Sequence, residues 1–244
     1  IGNWKMFGVK SSIGIINKIN NFIKRDKNSK KYQVIITPPY TLLETFANIY
    51  KKKEISIGSQ NCYHKDLFSS NTGAISPFMI RATGSKYTII GHSDNRSEGD
   101  SNIILKNKVK YALKNNLKII FCIGENKNEK KKKQTFSVLK SQITKVLDKK
   151  FNKNKIIIAY EPIWSIGTGK IPGVNELMKT TKFIKRTLNQ VFKSKKSPAV
   201  LYGGSVDGSN VAMFRSVKEI DGFLIGGASK SSKKFIDIIK NYYR

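Results

Sequence analysis

The sequence predicts an α/β protein: a closed (β/α)8 barrel of eight parallel strands that forms a single domain over residues 1–244. Short apolar runs alternate along the chain with longer stretches whose apolar residues recur every three to four positions. Such alternation indicates parallel strands joined by right-handed crossovers. Eight strand and helix units in 244 residues suit a closed barrel better than an open doubly wound sheet, and we find no domain boundary.

Each predicted strand is a short run, mostly of Ile, Val, Leu and aromatic residues. In chain order the strands are residues 1–4 (IGNW), 33–37 (QVIIT), 55–60 (ISIGSQ), 87–91 (YTIIG), 118–123 (KIIFCI), 156–160 (IIIAY), 199–202 (AVLY) and 222–225 (GFLI). Continuous apolar runs of this length are typical of parallel strands covered on both faces. The first run looks clipped at its amino terminus, so we expect the native chain to begin earlier than the sequence given.

The predicted helices lie between these strands and present one apolar face. They cover residues 13–23, 42–50, 103–113, 136–147, 177–192 and 235–239. In the first of them, Ile16, Ile19 and Ile23 recur at helical spacing. Asn, Ser, Gly or Lys flanks most of the six, and these residues are common at helix ends.

The formal net charge of +30 raises nucleic-acid binding as a first hypothesis. Of the 46 basic residues only six are Arg, whereas recognition of phosphates and bases favours the planar Arg fork. Lys, Asn and Ile are all abundant and share A/T-rich codons, so a genomic bias that fills exposed faces with Lys explains the charge without a specific nucleic-acid partner. We therefore expect the run 130–133 to be a solvated helix start, and the positive field to speed capture of an anionic substrate.

Cysteine usage and hydropathy argue against several further classes. Cys62 and Cys122 are far apart, and only His64 and His92 could supply nitrogen ligands, so we expect neither a disulfide framework nor a metal site. No apolar stretch approaches the roughly 18 to 20 residues needed to cross a bilayer, and residues 1–5 lack the order of a signal peptide. We expect a cytoplasmic protein with no membrane partner.

Polar residues follow the carboxyl ends of the predicted strands. In a parallel barrel these ends meet on one face, where barrel enzymes place their active sites. The residues expected on this face are Asn3, Lys5, Gln60, Asn61, His92, Ser93, Glu125, Glu161, the run 202–205 (YGGS) and the run 226–229 (GGAS).

Glu161 stands where the sixth strand ends, directly before Pro162, which has no N–H to continue a ladder. Taken alone, a carboxylate at a strand end is more often a solvated rim group than a catalytic base. In this chain a segment of small residues follows, between Pro162 and Pro172. The segment consists of Ser165, Ile166, Gly167, Thr168 and Gly169. The pattern predicts a catalytic base beside a hinged lid.

Two glycine-rich turns after the last two strands predict a phosphate site. A single Gly-Gly pair usually forms only a tight turn, but two pairs at successive strand ends, with a further glycine in the lid, favour phosphate binding. The backbone N–H groups that these turns offer to a phosphate belong to Gly203, Gly204, Ser205, Gly226 and Gly227, with Gly167 in the lid. With phosphate anchored there, Glu161 can take a proton from carbon while His92 and Lys5 stabilise charge on the adjacent oxygen.

Seven blocks of the sequence resemble the triosephosphate isomerases, and the resemblance runs from residue 1 to the last helix. The blocks are residues 2–6 (GNWKM), 60–63 (QNCY), 90–93 (IGHS), 122–125 (CIGE), 159–170 (AYEPIWSIGTGK), 202–206 (YGGSV) and 221–229 (DGFLIGGAS). The resemblance implies a TIM-barrel isomerase that interconverts dihydroxyacetone phosphate and D-glyceraldehyde 3-phosphate in glycolysis and gluconeogenesis. It implies no cofactor.

The resemblance also implies roles for individual residues. Glu161 would shuttle a proton between C1 and C2 through an enediolate, and His92 would polarise the carbonyl as a neutral imidazole, for which this family is a standard example. Lys5 and Asn3 would supply electrostatics and orientation, and Ser93 would hold Glu161 while the lid is open. The lid would exclude water from an enediolate that could otherwise lose phosphate.

Four residues depart from the pattern of the family. Asp94 and Asn95 stand where the family usually has Glu and Arg, and because Asp reaches about 1.5 Å less far than Glu, we expect its contact with Lys5 to be lost or bridged by water. Ala74 replaces a Glu that commonly meets that Arg across a dimer interface, so neither charge is stranded. Phe7 replaces an Asn, and we expect it to pack rather than to contact substrate.

The remaining implied roles concern support and assembly. Cys122 and Asp94 are expected to support the catalytic residues. The coupled loss of both interface charges suggests that a homodimer survives in altered form. Thr72 would then reach toward Asn3 and Lys5 of the partner subunit.

Two other functions stay open at this point. A related isomerase with the same machinery could act on a longer phosphorylated ketose, and only the room around Asn3, Phe7 and Ile166 would tell the two apart. A catalytically weak barrel could instead be retained as a basic protein that binds phosphate or RNA, although the intact catalytic set speaks against it.

Overall fold

A computed structural model describes residues 1–243 and contains a curled sheet of eight strands in the order β1 to β8. All neighbouring strands are parallel. The strands are β1 (Gly2–Asn3), β2 (Val34–Thr37), β3 (Ile55–Ser59), β4 (Tyr87–Ile90), β5 (Lys118–Ile123), β6 (Ile156–Tyr160), β7 (Ala199–Tyr202) and β8 (Gly222–Phe223). The prediction of eight parallel strands in a TIM-barrel-like fold is confirmed.

The first and last strands approach each other. Gly2 and Ile225 form an isolated parallel bridge. The Asn3 N–H donates to the Ile225 carbonyl at 2.8 Å, and the Ile225 N–H donates to the Ile1 carbonyl at 2.8 Å. The sheet therefore curls far enough for its two edges to share hydrogen bonds.

Nine α-helices occur within residues 1–243. They are α1 (Ile13–Arg25), α2 (Tyr40–Ile49), α3 (Pro77–Ala82), α4 (Ser93–Ser97), α5 (Asn102–Lys114), α6 (Lys127–Lys131), α7 (Thr135–Val146), α8 (Val174–Phe192) and α9 (Ser232–Tyr243). Six of these overlap the helices predicted from apolar spacing, with shifted ends. The sequence did not predict α3, α4 and α6, because five or six residues are too few to show a periodic apolar face.

The prediction that helices and strands alternate throughout is wrong between β7 and β8. Over this part of the described chain the connection carries a 3-10 helix, Val211–Ser216, and no α-helix. Asp207 accepts hydrogen bonds from the backbone N–H groups of Ser209 and Asn210, a capping pattern just before this short helix.

The lysine run 130–133 is solvated as predicted at Lys131, Lys132 and Lys133, but the prediction that it starts a helix is wrong. It ends α6, and Lys133 has the left-handed φ of +57° that commonly follows a helix. Lys130 makes two contacts: its Nζ forms an ion pair with Glu176 Oε1 at 2.8 Å and lies 3.4 Å from the centre of the Trp164 ring.

Side chains along the strands alternate between two buried layers, because successive residues of a strand point to opposite faces. Phe121 packs in the larger layer between sheet and helices, whereas Cys122 packs in the smaller cluster with Ala159 and Leu224. Cys122 and Ala159 are paired in the register of β5 and β6. The same alternation directs Glu161, two residues after Ala159, toward the inner side of the sheet.

Even the 19-residue helix α8 is amphipathic. It buries Leu177, Ile184 and Leu188 and exposes Lys179 and Lys182. Within residues 1–243, no helix has both the length and the apolar composition that crossing a membrane requires.

Candidate active site

Glu161 lies at the carboxyl end of the sheet, one residue beyond β6. Its backbone N–H donates to the Ile123 carbonyl at 2.8 Å and so extends the pairing of β6 with β5. The residue is only 5% exposed. Its Oε1 lies 3.6 Å from His92 Nε2, and its buried Oε2 has no hydrogen-bond partner among the described residues. One oxygen of a buried carboxylate is therefore free to accept a proton.

Two glycines make room for Glu161. A Cβ on Gly124 would lie 1.8 Å from the Glu161 carbonyl oxygen, and a Cβ on Gly203 would lie 2.6 Å from Glu161 Cγ. Both distances are far below van der Waals contact, so a side chain at either position would displace the carboxylate. Sequence reasoning gave neither glycine a role of its own, and the only signal was their presence in the runs 122–125 and 202–205.

Burial raises the pKa of the Glu161 carboxyl above its ordinary value, since a charged group loses its hydration there. The neighbouring Cys122 thiol and the charge of Lys5 oppose this shift. Burial also raises the pKa of the Cys122 thiol, which stays neutral and can donate its proton. The structure thus places Cys122 next to the carboxylate that it was expected to support.

The tautomer of His92 follows from one backbone contact. His92 is the N-cap of α4, and its Nδ1 accepts the Asp94 N–H at 3.1 Å. A ring nitrogen that accepts a hydrogen bond carries no proton, so the neutral imidazole has its proton on Nε2, the atom nearer Glu161. Asp94 Oδ2 lies farther from Nδ1, at 3.4 Å, and we give more weight to the shorter contact with its fixed N–H.

Lys5 and Asp94 are in direct contact, with 3.3 Å between Nζ and Oδ2. The expectation that the shorter Asp side chain would lose this contact or need a bridging water is therefore wrong. The long, flexible Lys side chain compensates for the missing methylene. Because Asp94 is 61% exposed, water screens the pair and its contribution to stability is small.

The backbone of Lys5 is strained, and two amide side chains hold it. Its φ of +54° lies in the left-handed region, which is uncommon for a residue other than glycine. Asn3 Oδ1 accepts the Lys5 N–H at 3.0 Å, while Gln60 Nε2 donates to the carbonyls of Lys5 and Thr37 at 2.8 and 2.9 Å. Asn3 and Gln60 thereby direct Lys5 toward His92. Sequence reasoning placed Gln60 on this face without a role.

Arg96 is a residue of the site that sequence reasoning missed. Its Nε donates to the Gly91 carbonyl at 2.8 Å, and its Nη2 donates to the Cys122 carbonyl at 3.0 Å. The guanidinium therefore joins the ends of β4 and β5, at the residues that adjoin His92 and Ile123. Only the fold brings these two carbonyls within reach of one side chain, so no local pattern could have shown the role.

Two predicted residues do not make the contacts proposed for them among the described residues. Ser93 begins α4, and no hydrogen bond among the described residues joins it to Glu161. Its predicted role concerns an open lid and stays a prediction. Thr72 is exposed in the loop before α3, and its predicted contact with a partner subunit also stays a prediction. Phe7 packs edge-on against Trp4, with 5.7 Å between ring centres, as expected for a packing residue.

Four backbone N–H groups are available at the predicted phosphate site. Within residues 1–243, no backbone hydrogen bond uses the N–H groups of Gly167, Ser205, Gly226 or Gly227. The last three follow β7 and β8, and Gly167 lies in the lid. Gly167 and Gly169 have φ values of +68° and +71°, a backbone conformation that favours glycine.

The lid begins at a well-anchored tryptophan. Trp164 Nε1 donates to Glu125 Oε1 at 2.8 Å, and the Tyr160 hydroxyl donates to the same carboxylate at 3.2 Å. The ammonium of Lys130 covers the Trp164 ring at 3.4 Å from its centre, a cation–π contact. Glu125, one of the polar residues expected on this face, therefore anchors the lid and does not reach the reacting centre.

Within residues 1–243, no three His, Cys, Asp or Glu side chains cluster closely enough to hold a metal ion. A cavity of about 470 Å³ lies at the opposite ends of the strands and is lined by residues such as Tyr32, Ile35 and Phe223. None of the predicted site residues lines it.

Comparison with known proteins gives a consistent result along the whole chain. The family model described as triosephosphate isomerase matches residues 1–242. The chain is 35% identical over 243 residues to triosephosphate isomerase of Debaryomyces hansenii, covering 98% of this chain and 96% of that protein. Triosephosphate isomerase of Leptospira interrogans is also 35% identical, with 97% of each chain covered.

A solved structure agrees with these sequences. A crystal structure of triosephosphate isomerase from Bartonella henselae superposes with a TM-score of 0.89 at 33% identity, covering 100% of this chain and 98% of that one. The match includes the strand ends that carry the carboxylate, the imidazole and the two glycine-rich turns. The chain therefore belongs to the triosephosphate isomerase family of enzymes.

Proposed function

We propose that this protein interconverts dihydroxyacetone phosphate and D-glyceraldehyde 3-phosphate by proton transfer through an enediolate, as part of glycolysis and gluconeogenesis. The observation that carries the proposal is the buried Glu161 carboxylate, which has one unpartnered oxygen and lies 3.6 Å from the protonated nitrogen of a neutral imidazole. This pair combines a base for a carbon-bound proton with an acid for the adjacent oxygen.

Glu161 would take a proton from C1 of the ketose and return it to C2. Its raised pKa makes it a stronger base than an exposed glutamate, because burial disfavours the charged form. A catalytic base works best when its pKa is shifted toward the operating pH. The single carboxylate can serve both carbons since they are adjacent.

His92 and Lys5 would stabilise the negative charge that develops on the substrate oxygens. The Nε2 proton of His92 can donate to either oxygen of the enediolate, and Lys5 adds a positive charge at the mouth of the site. Asn3 and Gln60 hold Lys5 in its strained conformation, so little reorganisation is needed during the reaction. Donors fixed in this way are the main source of electrostatic catalysis.

The substrate phosphate would lie between the lid and the turns after β7 and β8. Gly167, Ser205, Gly226 and Gly227 would donate their backbone N–H groups to it. Anchoring the phosphate fixes the distance of C1 and C2 from Glu161. The lid, residues 165–169, would then cover the enediolate and exclude water.

We also propose that the eight-stranded sheet forms a closed barrel, which would place all the catalytic residues on one face. The two hydrogen bonds between residues 1–3 and Ile225 would close it, bringing Asn3 and Lys5 beside the turn after β8. A single domain would then carry the whole site. We also propose a cytoplasmic location, where enzymes of glycolysis act.

We propose that the active form is a homodimer. The loop before α3 exposes Phe68, which is 76% exposed and has its ring edge-on to that of Phe78, and Met6 next to Lys5 is 99% exposed. In a two-fold dimer, the loop of one subunit would cover the region of Met6 in the other, with Thr72 near the site. A monomer-sized mass at micromolar concentration together with full activity would refute this assembly.

The proposed function is tested by a coupled assay of glyceraldehyde 3-phosphate conversion at low and moderate salt. High activity that falls with added salt would support both the reaction and steering of the anionic substrate. Negligible activity with trioses but turnover of a longer phosphorylated ketose would favour the related isomerase. Tight RNA binding at physiological salt, unchanged in Glu161→Ala, with no isomerase activity would favour the binding protein.

A further inference from the structure

Ser165 is a fully buried serine inside the lid, with 0% of its surface exposed. Its hydroxyl lies 2.5 Å from the Lys170 carbonyl and 2.9 Å from the Tyr202 hydroxyl. A serine hydroxyl has one proton, and a carbonyl can only accept, so the proton of Ser165 points to Lys170. Tyr202 must then donate to Ser165. The result is a directed chain of hydrogen bonds from Tyr202 through Ser165 to Lys170.

A second chain runs beside the first and uses the backbone of the same residue. The Gly169 N–H donates to Ser205 Oγ at 3.2 Å, and Ser205 Oγ donates to the Ser165 carbonyl at 2.8 Å. Only the first chain requires a hydroxyl at position 165, because a carbonyl is present whatever the side chain. The contribution of the Ser165 hydroxyl can therefore be separated from that of the lid backbone.

The hydroxyl connects three parts of the molecule. Ser165 is the first residue of the lid, Lys170 directly follows the lid, and Tyr202 ends β7. Space for the contact comes from Gly204, since a Cβ there would lie 2.1 Å from the Tyr202 hydroxyl oxygen and 2.7 Å from Ser165 Oγ.

We propose that Ser165 is a positioning residue whose hydroxyl joins the two ends of the lid, at Ser165 and Lys170, to Tyr202 while the lid covers the site. The inference rests on the proposed isomerase function. In this role Ser165 keeps the lid closed, so that the enediolate does not lose its phosphate before Glu161 returns the proton. The hydroxyl does not contact the reacting carbons, so its effect should differ from that of a catalytic residue.

The difference is visible in the fate of the enediolate. When the lid opens early, the C–O bond to phosphate breaks, the phosphate leaves with the electron pair of that bond, and the enol of a three-carbon dicarbonyl compound remains. The number of phosphate ions released per isomerisation therefore reports how well the lid is held. Glu161 and His92 are untouched by a change at Ser165, so the chemical step itself should be nearly preserved.

The test compares Ser165→Ala, Tyr202→Phe and the double variant with wild type. We expect each single variant to release about five times more phosphate per isomerisation, the order of effect of losing one hydrogen bond. KM should rise by a similar factor, and kcat should change less than about twofold. The double variant should match the single ones, because both changes break the same chain.

Ser85→Ala is the matched control. Ser85 is also 0% exposed, and its hydroxyl lies 2.9 Å from that of Thr83, in the turn that precedes β4. Ser85→Ala should release as much phosphate per isomerisation as wild type. Melting curves would show that the variants fold. The inference would be overturned if Ser165→Ala and Tyr202→Phe fold but release the same amount of phosphate per isomerisation as wild type, with the same KM. A wild type without isomerase activity would instead refute the proposed function, and the inference with it.

Discussion

Shortening Glu161 by one methylene tests whether its carboxylate is the base. In Glu161→Asp the carboxylate withdraws by about 1.5 Å, the length of one C–C bond. Its distance from His92 Nε2 would grow from 3.6 Å to roughly 5 Å. The charge and the burial of the group are retained, so the substitution changes position and little else.

The expected loss follows from this displacement. Misplacing a reacting group by about 1 Å can cost about a hundredfold in rate. We therefore expect kcat to fall by about 10² to 10³, which corresponds to roughly 3 to 4 kcal/mol in the barrier. KM should change less than about threefold, because the N–H groups proposed to bind phosphate are unaffected.

The assay is the coupled conversion of glyceraldehyde 3-phosphate, with melting curves recorded for each variant. Glu44→Asp is the matched control, since it makes the same chemical change at an exposed position of α2 and should leave kcat unchanged. A fall in kcat of less than tenfold in a folded Glu161→Asp would refute the reasoning, since another group would then be taking the proton.

The raised pKa of Glu161 also predicts that this residue lowers stability in a pH-dependent way. Above the pKa of the folded state the buried carboxylate is charged and destabilises the fold. This cost disappears as the pH falls below the pKa of an unfolded glutamate, near 4. Glu161→Gln should therefore raise Tm at pH 7 but not at about pH 4, and an unchanged Tm in calorimetry at pH 7 would contradict this. We expect Asp94→Glu to leave kcat/KM unchanged or to raise it, and a tenfold drop in steady-state kinetics would show that the site is built around Asp. Gly124→Ala should cost about 1 to 3 kcal/mol of stability in denaturant titrations and lower kcat at least tenfold, because the new Cβ meets the Glu161 carbonyl oxygen. Gly14→Ala, where nothing lies within 4 Å, should do neither.

The strands and long helices could be predicted because their signals are local. Apolar runs such as residues 118–123 and periodic faces such as that of α1 record burial directly in the order of residues. The helices α3, α4 and α6 escaped because each is stabilised by its ends more than by an apolar face. Ser76 caps α3 by accepting the Met79 N–H, and His92 caps α4.

The catalytic set could be proposed from strand ends and the family resemblance, but its supporting groups could not. Arg96 acts by bonding two carbonyls on different strands, and Gly203 acts by leaving space for Glu161. Neither role has a signature in neighbouring residues. The direct contact between Lys5 and Asp94 also differed from expectation, because the reach of two side chains depends on where their backbones lie.

By itself, the sequence determined the order of strands and helices, the family and the residue types available for chemistry, because local burial patterns and short motifs encode them. The tertiary structure decided which of those residues meet. Folding brings His92 within 3.6 Å of Glu161, although the two residues are far apart in sequence, and it buries the carboxyl group and so raises its pKa. Folding also brings Tyr202 within hydrogen-bonding distance of Ser165. Such contacts arise only when the sheet curls, since they depend on space and direction and not on spacing along the chain.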